Sequence, residues 1–318
     1  MNAEVIALLQ ATSIPSALLA ELRIFHQRSP GMLDDDLPGL RMRRLSGGRR
    51  NRSFAWDGPG DEICLKLYAS GDHDRAVREY RALVHLADSG IRAVPQPLWH
   101  DPDPELPAVA TTMLPGLAVP GLDEPVSALR AMVAVLSDVR RVPAGPFADT
   151  PRAGAARDIV HRLMGTWSGQ LDDHLDDPDT YDMRAILDAW SECGAVTTLL
   201  DPAPRIFSRG DSNLSNWLWD GSTARVAGWE FAGYSEAAYD AADIIEHPSA
   251  RAIDDARWIS LLPDLRVSDE DSRRRFLAAQ RTVALHWLSR LWQRRVARAE
   301  EFEAQRTRVR NLLDHDFL

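Results

Sequence analysis

Two short stretches of the chain hold residue types suited to phosphate chemistry. The first is Ile63-Cys64-Leu65-Lys66-Leu67-Tyr68, with Glu79 following thirteen residues after its lysine. The chain has 37 basic residues, and Lys66 is its single lysine among 36 arginines. Arginine presents a wide planar fork, whereas lysine is a compact point charge that fits a narrow polar site. Strand alternation puts Ile63, Leu65 and Leu67 on one side and Cys64, Lys66 and Tyr68 on the other. Glu79 borders an apolar helical stripe that includes Ala76, Val77, Tyr80 and Leu83. From that edge its carboxylate is either solvated or reaches over a sheet to the lysine, leaving the ammonium aimed at phosphate oxygens. The second stretch runs from Arg209-Gly210-Asp211 to Asn216. One loop there offers a carboxylate to accept a hydroxyl proton and, five residues on, an amide oxygen to a hard cation. The plainer readings are a helix cap for Asp211 and a turn residue for Asn216.

The elements that must position these residues change character along the chain. Apolar spacing predicts a helix over 2–27, interrupted near Pro15. Strand-like segments follow at 40–45, 53–56 and 62–68, with turns at Ser46-Gly47-Gly48 and Asp57-Gly58-Pro59-Gly60. A helix over 72–89 and a strand pair within 95–113 complete this part. Pro115-Gly116 then breaks the pattern, and helical periodicity dominates at 125–141, 152–175, 182–200, 236–247 and 268–313. One hairpin interrupts it, over 216–230, turned at Asp220-Gly221. The reading is an α+β fold of two lobes, a small β-rich one over 1–116 and a larger helical one over 117–318.

Composition narrows the function classes. The chain has 318 residues, with 37 basic and 47 acidic side chains and a net charge of −10. That acidic excess disfavours a general nucleic-acid or anionic-membrane binder. Cys64 and Cys193 are the two cysteines, too few for a disulfide framework or a cysteine zinc site. With no signal peptide and no membrane span in the sequence, the expected location is cytoplasmic. Six aspartates between 172 and 182 form either a solvated loop or a lure for a cationic ligand. Six arginines between 41 and 52 surround the glycine turn, where they are strand-edge charges or help draw in a nucleotide.

The motifs together resemble the aminoglycoside phosphotransferase family, small-molecule kinases with a protein-kinase-like fold. The residues that carry the resemblance are LSGGRRNRSFAW, Lys66 with Glu79, Arg209-Gly210-Asp211 through Asn216, the following hairpin, and GYSEAAYDAAD at 233–243, in order over about 40–247. The resemblance implies ATP and Mg²⁺ as cofactors and a hydroxyl-bearing small molecule, aminoglycoside-like or otherwise cationic, as acceptor. It implies nucleotide binding by Gly47, Gly48, Lys66 and Glu79, catalysis by Asp211, metal ligation by Asn216, and an anchoring role for Asp240. Two positions depart from the family pattern. Arg209 stands where the family has histidine, and Gly228-Trp229-Glu230 stands where it has a metal-binding aspartate. Glu230 is then either a substitute metal ligand or an ion-paired acid. The alternative function is a pseudokinase that binds nucleotide or a small molecule without efficient transfer.

Overall fold

The computed structural model describes residues 16–46, 51–58 and 60–315. Two compact units share the chain: residues 1–123 with 215–232, and residues 124–214 with 233–318.

The first unit is built on one antiparallel sheet. Its strands are β1 (Met42–Arg44), β2 (Arg52–Trp56), β3 (Ile63–Leu67), β4 (Pro97–Asp101) and β5 (Ala108–Thr112), in the order β1-β2-β3-β5-β4. β3 is central, and Lys66 lies opposite Ser53 on one side and Val109 on the other. Ile63, Leu65 and Leu67 enter a core with Leu22, Phe54 and Leu106, as the alternation predicts. Lys66 therefore faces the other side, where Tyr68, Ala76 and Val109 form a smaller apolar cluster under helix His73–Asp88. The helix predicted over 2–27 is described from Ser16 to Arg28, and its earlier part lies outside the described residues. Gly47 and Gly48 lie outside them too.

A second sheet of this unit joins β6 (Leu117–Ala118), β8 (Trp217–Trp219) and β9 (Ala224–Val226). The boundary at 116/117 read from sequence leaves the segments 117–123 and 215–232 with the helical lobe, whereas here both pack with the first unit. Long-range contacts decide it: the Val226 N–H donates to the Ala93 carbonyl at 2.9 Å, and β8 of the same hairpin holds β6 beside it. The hairpin is also shorter than 216–230. β9 stops at Val226, Gly228 has φ +77°, and the Ala232 N–H donates to the Trp229 carbonyl at 3.1 Å to close a turn. Gly228 and Glu230 are thus not neighbours on one face of an extended strand.

Helix Glu270–Trp292 is the spine of the second unit and packs against helices Ala237–Glu246, Ala195–Leu200 and Ala299–Asp314. Its start is fixed by a capping box between Asp269 and Ser272. It is apolar on several sides, and two of the polar side chains it buries, Arg275 and Gln280, reach partners on neighbouring elements. Arg275 donates to Glu236 Oε2 at 2.7 Å and to the Thr198 carbonyl at 2.8 Å. Gln280 donates to Glu246 Oε1 at 2.8 Å. The segment 156–172 runs as helix Ala156–His161, a π-helical stretch Arg162–Trp167 and helix Ser168–Asp172. A two-stranded sheet, β7 (Ile206–Ser208) with β10 (Gly233–Ser235), brings the chain on either side of the hairpin together. Helix Asp255–Leu261, which the sequence reading omits, is capped by Asp254 and buries Trp258. Among the described residues, no helix is long and apolar enough to cross a membrane.

Candidate active site

In the first unit, β3 and helix His73–Asp88 set Lys66 against Glu79, as the sequence reading expects. Lys66 Nζ lies 2.9 Å from Glu79 Oε2 and 2.8 Å from Glu230 Oε2. All three side chains are largely buried. Burial alone would depress the ammonium's pKa, but the two carboxylates outweigh it and hold Lys66 above its ordinary value. Glu79 also accepts from the Tyr68 hydroxyl and from the Trp229 N–H at 3.2 Å. Its pKa is nevertheless raised, first by burial and further by the charge of Glu230. Glu230 moves the other way: burial pushes its pKa up, and Lys66 and Arg75 more than reverse the effect.

Both oxygens of Glu230 are engaged. Oε1 accepts from Asn51 Nδ2 at 3.0 Å and lies 3.5 Å from an Arg75 amino group, while Oε2 meets Lys66. Arg75 also pairs with Asp72 at 2.8 Å and covers the Phe231 ring at 4.6 Å. The Gly228 backbone lies in the left-handed region that glycine adopts without penalty. At this turn the residues present do not fit a resident magnesium ion. Gly228 has no side chain, Glu230 is held by cations, and among the described residues no three His, Cys, Asp or Glu side chains gather as a metal site. Asn216 sits in the short turn Leu214–Asn216 before β8, where its carbonyl accepts from the Ala227 N–H at 3.0 Å. Trp229 is core: its indole N–H donates to the Val226 carbonyl at 3.1 Å.

In the second unit, the loop 209–214 leaves β7 through Gly210, whose φ of +75° lets the chain turn where a β-carbon would strain it. Asp211 Oδ1 accepts from the Asn213 N–H at 3.0 Å, and Oδ2 lies 3.4 Å from buried Arg209. The loop is braced from outside. Arg152 donates to the Gly210 carbonyl at 3.0 Å, to Asp240 Oδ1 at 2.9 Å and to Asp243 Oδ2 at 2.5 Å. Asp243 also accepts from the Ser212 hydroxyl at 2.5 Å. The Leu214 N–H donates to Ser249 Oγ at 2.8 Å, and the Ser249 N–H donates to His247 Nδ1 at 3.1 Å. Nδ1 therefore accepts, which places the His247 proton on Nε2. Burial lowers the His247 pKa, partly offset by Asp211 and Asp243.

Asp211 and Asn216 consequently belong to different units despite their spacing of five. Asp240 reaches the loop through Arg152 and not directly. The sequence reading missed Asn51, Arg75, Arg152, Asp243 and the Ser249–His247 pair. One signal was available: Asp243 follows Asp240 by one helical turn. Arg152 and Asn51 carry no local signal. The aspartate run is used internally, since Asp172 pairs with Arg184, Asp177 with Arg295, and Asp182 with Arg306 and Arg310. A helix starts at Pro178, directly after Asp177, so the run is not simply a loop. Of the 41–52 arginines that are described, three are paired likewise, Arg41 with Asp57, Arg43 with Glu62 and Arg52 with Asp34.

A family model described as "Phosphotransferase enzyme family" matches residues 41–278. No curated protein matches the chain in sequence. Among solved structures, aminoglycoside phosphotransferase APH(4)-Ia is similar at 16% identity and a TM-score of 0.63, over 94% of this chain and 99% of that one. A choline/ethanolamine kinase family protein from Mesorhizobium loti is similar at 16% identity and a TM-score of 0.63, over 94% and 96%. Spectinomycin phosphotransferase APH(9)-Ia, solved with ADP and spectinomycin, is similar at 10% identity and a TM-score of 0.57, over 86% and 91%. At such identities the likeness concerns the fold, a two-lobed, protein-kinase-like α+β architecture.

Proposed function

Because the chain belongs to the phosphotransferase enzyme family, its model matching most of the chain, we propose that it transfers the γ-phosphoryl group of ATP to a hydroxyl of a small molecule. The observation that carries this reading is the placement of the only lysine, mid-strand and clamped between two buried carboxylates. A cation fixed so firmly serves phosphate oxygens better than a mobile surface lysine does. The acceptor oxygen attacks the γ-phosphorus, the bond to the β–γ bridging oxygen breaks, and ADP leaves with that oxygen. Asp211 takes the hydroxyl proton, and the braces on 209–214 keep its carboxylate in place. Magnesium is not assigned a ligand from the Gly228 turn. Solved relatives in fold carry AMP-PNP with hygromycin B, or ADP with spectinomycin, which supports nucleotide with a small hydroxyl-bearing acceptor.

The second reading, nucleotide binding without efficient transfer, is favoured by Gly228 together with the engagement of Glu230. ATP consumption against a panel of hydroxyl compounds separates the two, with Asp211→Asn as the control. That change keeps the side chain's shape but removes the proton acceptor, so turnover should fall about 10²- to 10⁴-fold while ATP still raises the melting temperature. Equal turnover in the variant removes Asp211 from the chemistry, and nucleotide binding with no turnover in either form selects the second reading.

A further inference from the structure

The second unit contains a concentration of positive charge that its own acids do not answer. Arg162 opens the π-helical stretch, and His286, Trp287 and Arg290 follow on the spine helix, with Arg294 just beyond its end. Arg290 lies over the Trp287 ring at 5.6 Å, and His286 flanks the same ring at 5.9 Å. Arg162 and Arg294 are close enough to Arg290 to push its pKa down, after burial. Among the described residues, none of these three guanidinium groups has an ion pair, whereas Arg275, Arg306 and Arg308 of the same unit each meet a carboxylate.

Two further features lie beside Arg290. His286 Nδ1 and Trp287 Nε1 are buried with no hydrogen-bond partner, a cost that a polar ligand would relieve. Burial, then the charges of Arg162 and Arg290, bring the His286 pKa down to about 4. The patch is also coupled to the catalytic loop. The Trp287 ring meets His247 edge-on at 5.0 Å, and His247 holds Ser249, which accepts the Leu214 N–H. The aspartate run, the one sequence feature that favours a cationic acceptor, is largely engaged by arginines, as described above.

We infer that Arg162, Arg290 and Arg294, with His286 and Trp287, bind an anionic group of the acceptor, so that the substrate is a hydroxyl compound bearing a carboxylate or phosphate and not a polycation. Guanidinium forks match both oxyanions through paired hydrogen bonds. This inference rests on the phosphotransferase reading for the identity of the second substrate, but the anion site itself does not depend on turnover.

The test uses calorimetric titration of the full chain with gluconate, glycerol 3-phosphate, choline and kanamycin, followed by ATP-dependent phosphotransfer with the same four compounds. One of the two acids should bind, and Arg162→Gln/Arg290→Gln should weaken that binding about tenfold or more, since two charge-assisted contacts are lost. Lys66→Ala should leave acid binding intact, which separates this site from one for nucleotide phosphates. Where an acid is phosphorylated, the double variant should raise KM far more than it changes kcat. Both arginines are exposed, so an unchanged melting temperature is expected of the variant. Binding of choline or kanamycin in preference to the acids, binding of neither acid at millimolar concentration, or acid binding indifferent to the double variant would overturn the inference. ATP-dependent transfer to a cation would do so while leaving the phosphotransferase reading intact. Failure of ATP to bind, with acid binding retained, would remove the kinase reading and leave the anion site standing.

Discussion

Replacing Glu230 with glutamine tests how the single lysine is held. Around Lys66 the structure gathers two cations, Lys66 and Arg75, and three carboxylates, Asp72, Glu79 and Glu230. The group therefore carries one surplus negative charge, beside the ammonium that is to attract a triphosphate. A phosphate oxygen in contact with Nζ would sit about 6 Å from Glu230, where a unit repulsion is about 0.7 kcal/mol at water's dielectric and about 2.8 kcal/mol at an effective value of 20. Glu230→Gln removes that repulsion. ATP affinity should rise about tenfold, within bounds of roughly 3-fold to 100-fold. Stability should move the other way. The new amide group would face a donor, Asn51 Nδ2 or Lys66, and one unsatisfied buried donor costs about 1–3 kcal/mol. Calorimetric ATP titration with and without Mg²⁺, alongside a denaturant melt, reads both effects. Weaker ATP binding, or loss of the Mg²⁺ dependence shown by the native chain, would refute the argument and make Glu230 a metal ligand.

Lys66→Arg should fail to restore the ATP binding that Lys66→Ala loses, because the gap between Glu79 and Glu230 admits a point charge at 2.8–2.9 Å on each side and not a fork. Equal binding by Lys66→Arg in a calorimetric titration would reduce the lone lysine to an accident of composition. Arg152→Met should cost about 3–5 kcal/mol in a denaturant melt, because Asp240 and Asp243 would remain buried without their shared cation. A loss below 1 kcal/mol would show that the loop is held by other contacts. The pH dependence follows from His286, whose pKa falls from 6.5 to about 4 on folding, chiefly through burial. Between those values the unfolded chain binds a proton that the folded chain does not, so this contribution is present above pH 6.5 and lost as the pH falls toward 4. The loss approaches about 3 kcal/mol, less for the ring's partial exposure, and His286→Gln should flatten that part of a stability–pH curve.

The elements were legible wherever one face of a segment is apolar. β3 reads directly from Ile63, Leu65 and Leu67, and the helix around Glu79 from its stripe, because burial on one side imposes the period. A long segment lost its internal break: 182–200 divides at Gly194, whose φ is +81°, despite continuous helical periodicity, whereas 268–313, which reads as one amphipathic helix or a helical pair, is the pair Glu270–Trp292 and Ala299–Asp314. Helix Asp255–Leu261 escaped because a seven-residue helix held by one cap and one tryptophan has too few turns to show a period. The hairpin's allegiance to the first unit escaped for a different reason. Pairing of β8 with β6 joins residues about a hundred positions apart, and no local pattern encodes that.

The chemistry-bearing residues were legible by type and not by partner. Lys66, Glu79 and Asp211 stand out as charges in otherwise apolar or loop contexts, and the first two meet as their elements require. Glu230 shows where such reasoning stops. Strand alternation put it on the face of Gly228, where a missing aspartate would make it a substitute ligand. The backbone turns at Gly228 instead, and the turn delivers the carboxylate to Lys66. Aspartate tolerates the left-handed region better than most residues, so the backbone at 228 does not by itself require glycine. An added carboxylate there would sit two residues from Glu230, in a group that already carries one surplus negative charge. The same electrostatics that make Glu230 a second partner for Lys66 therefore disfavour a further acid at 228, so the departure at Gly228 and the ion-paired Glu230 are better treated as one arrangement than as a lost ligand beside an unrelated acid.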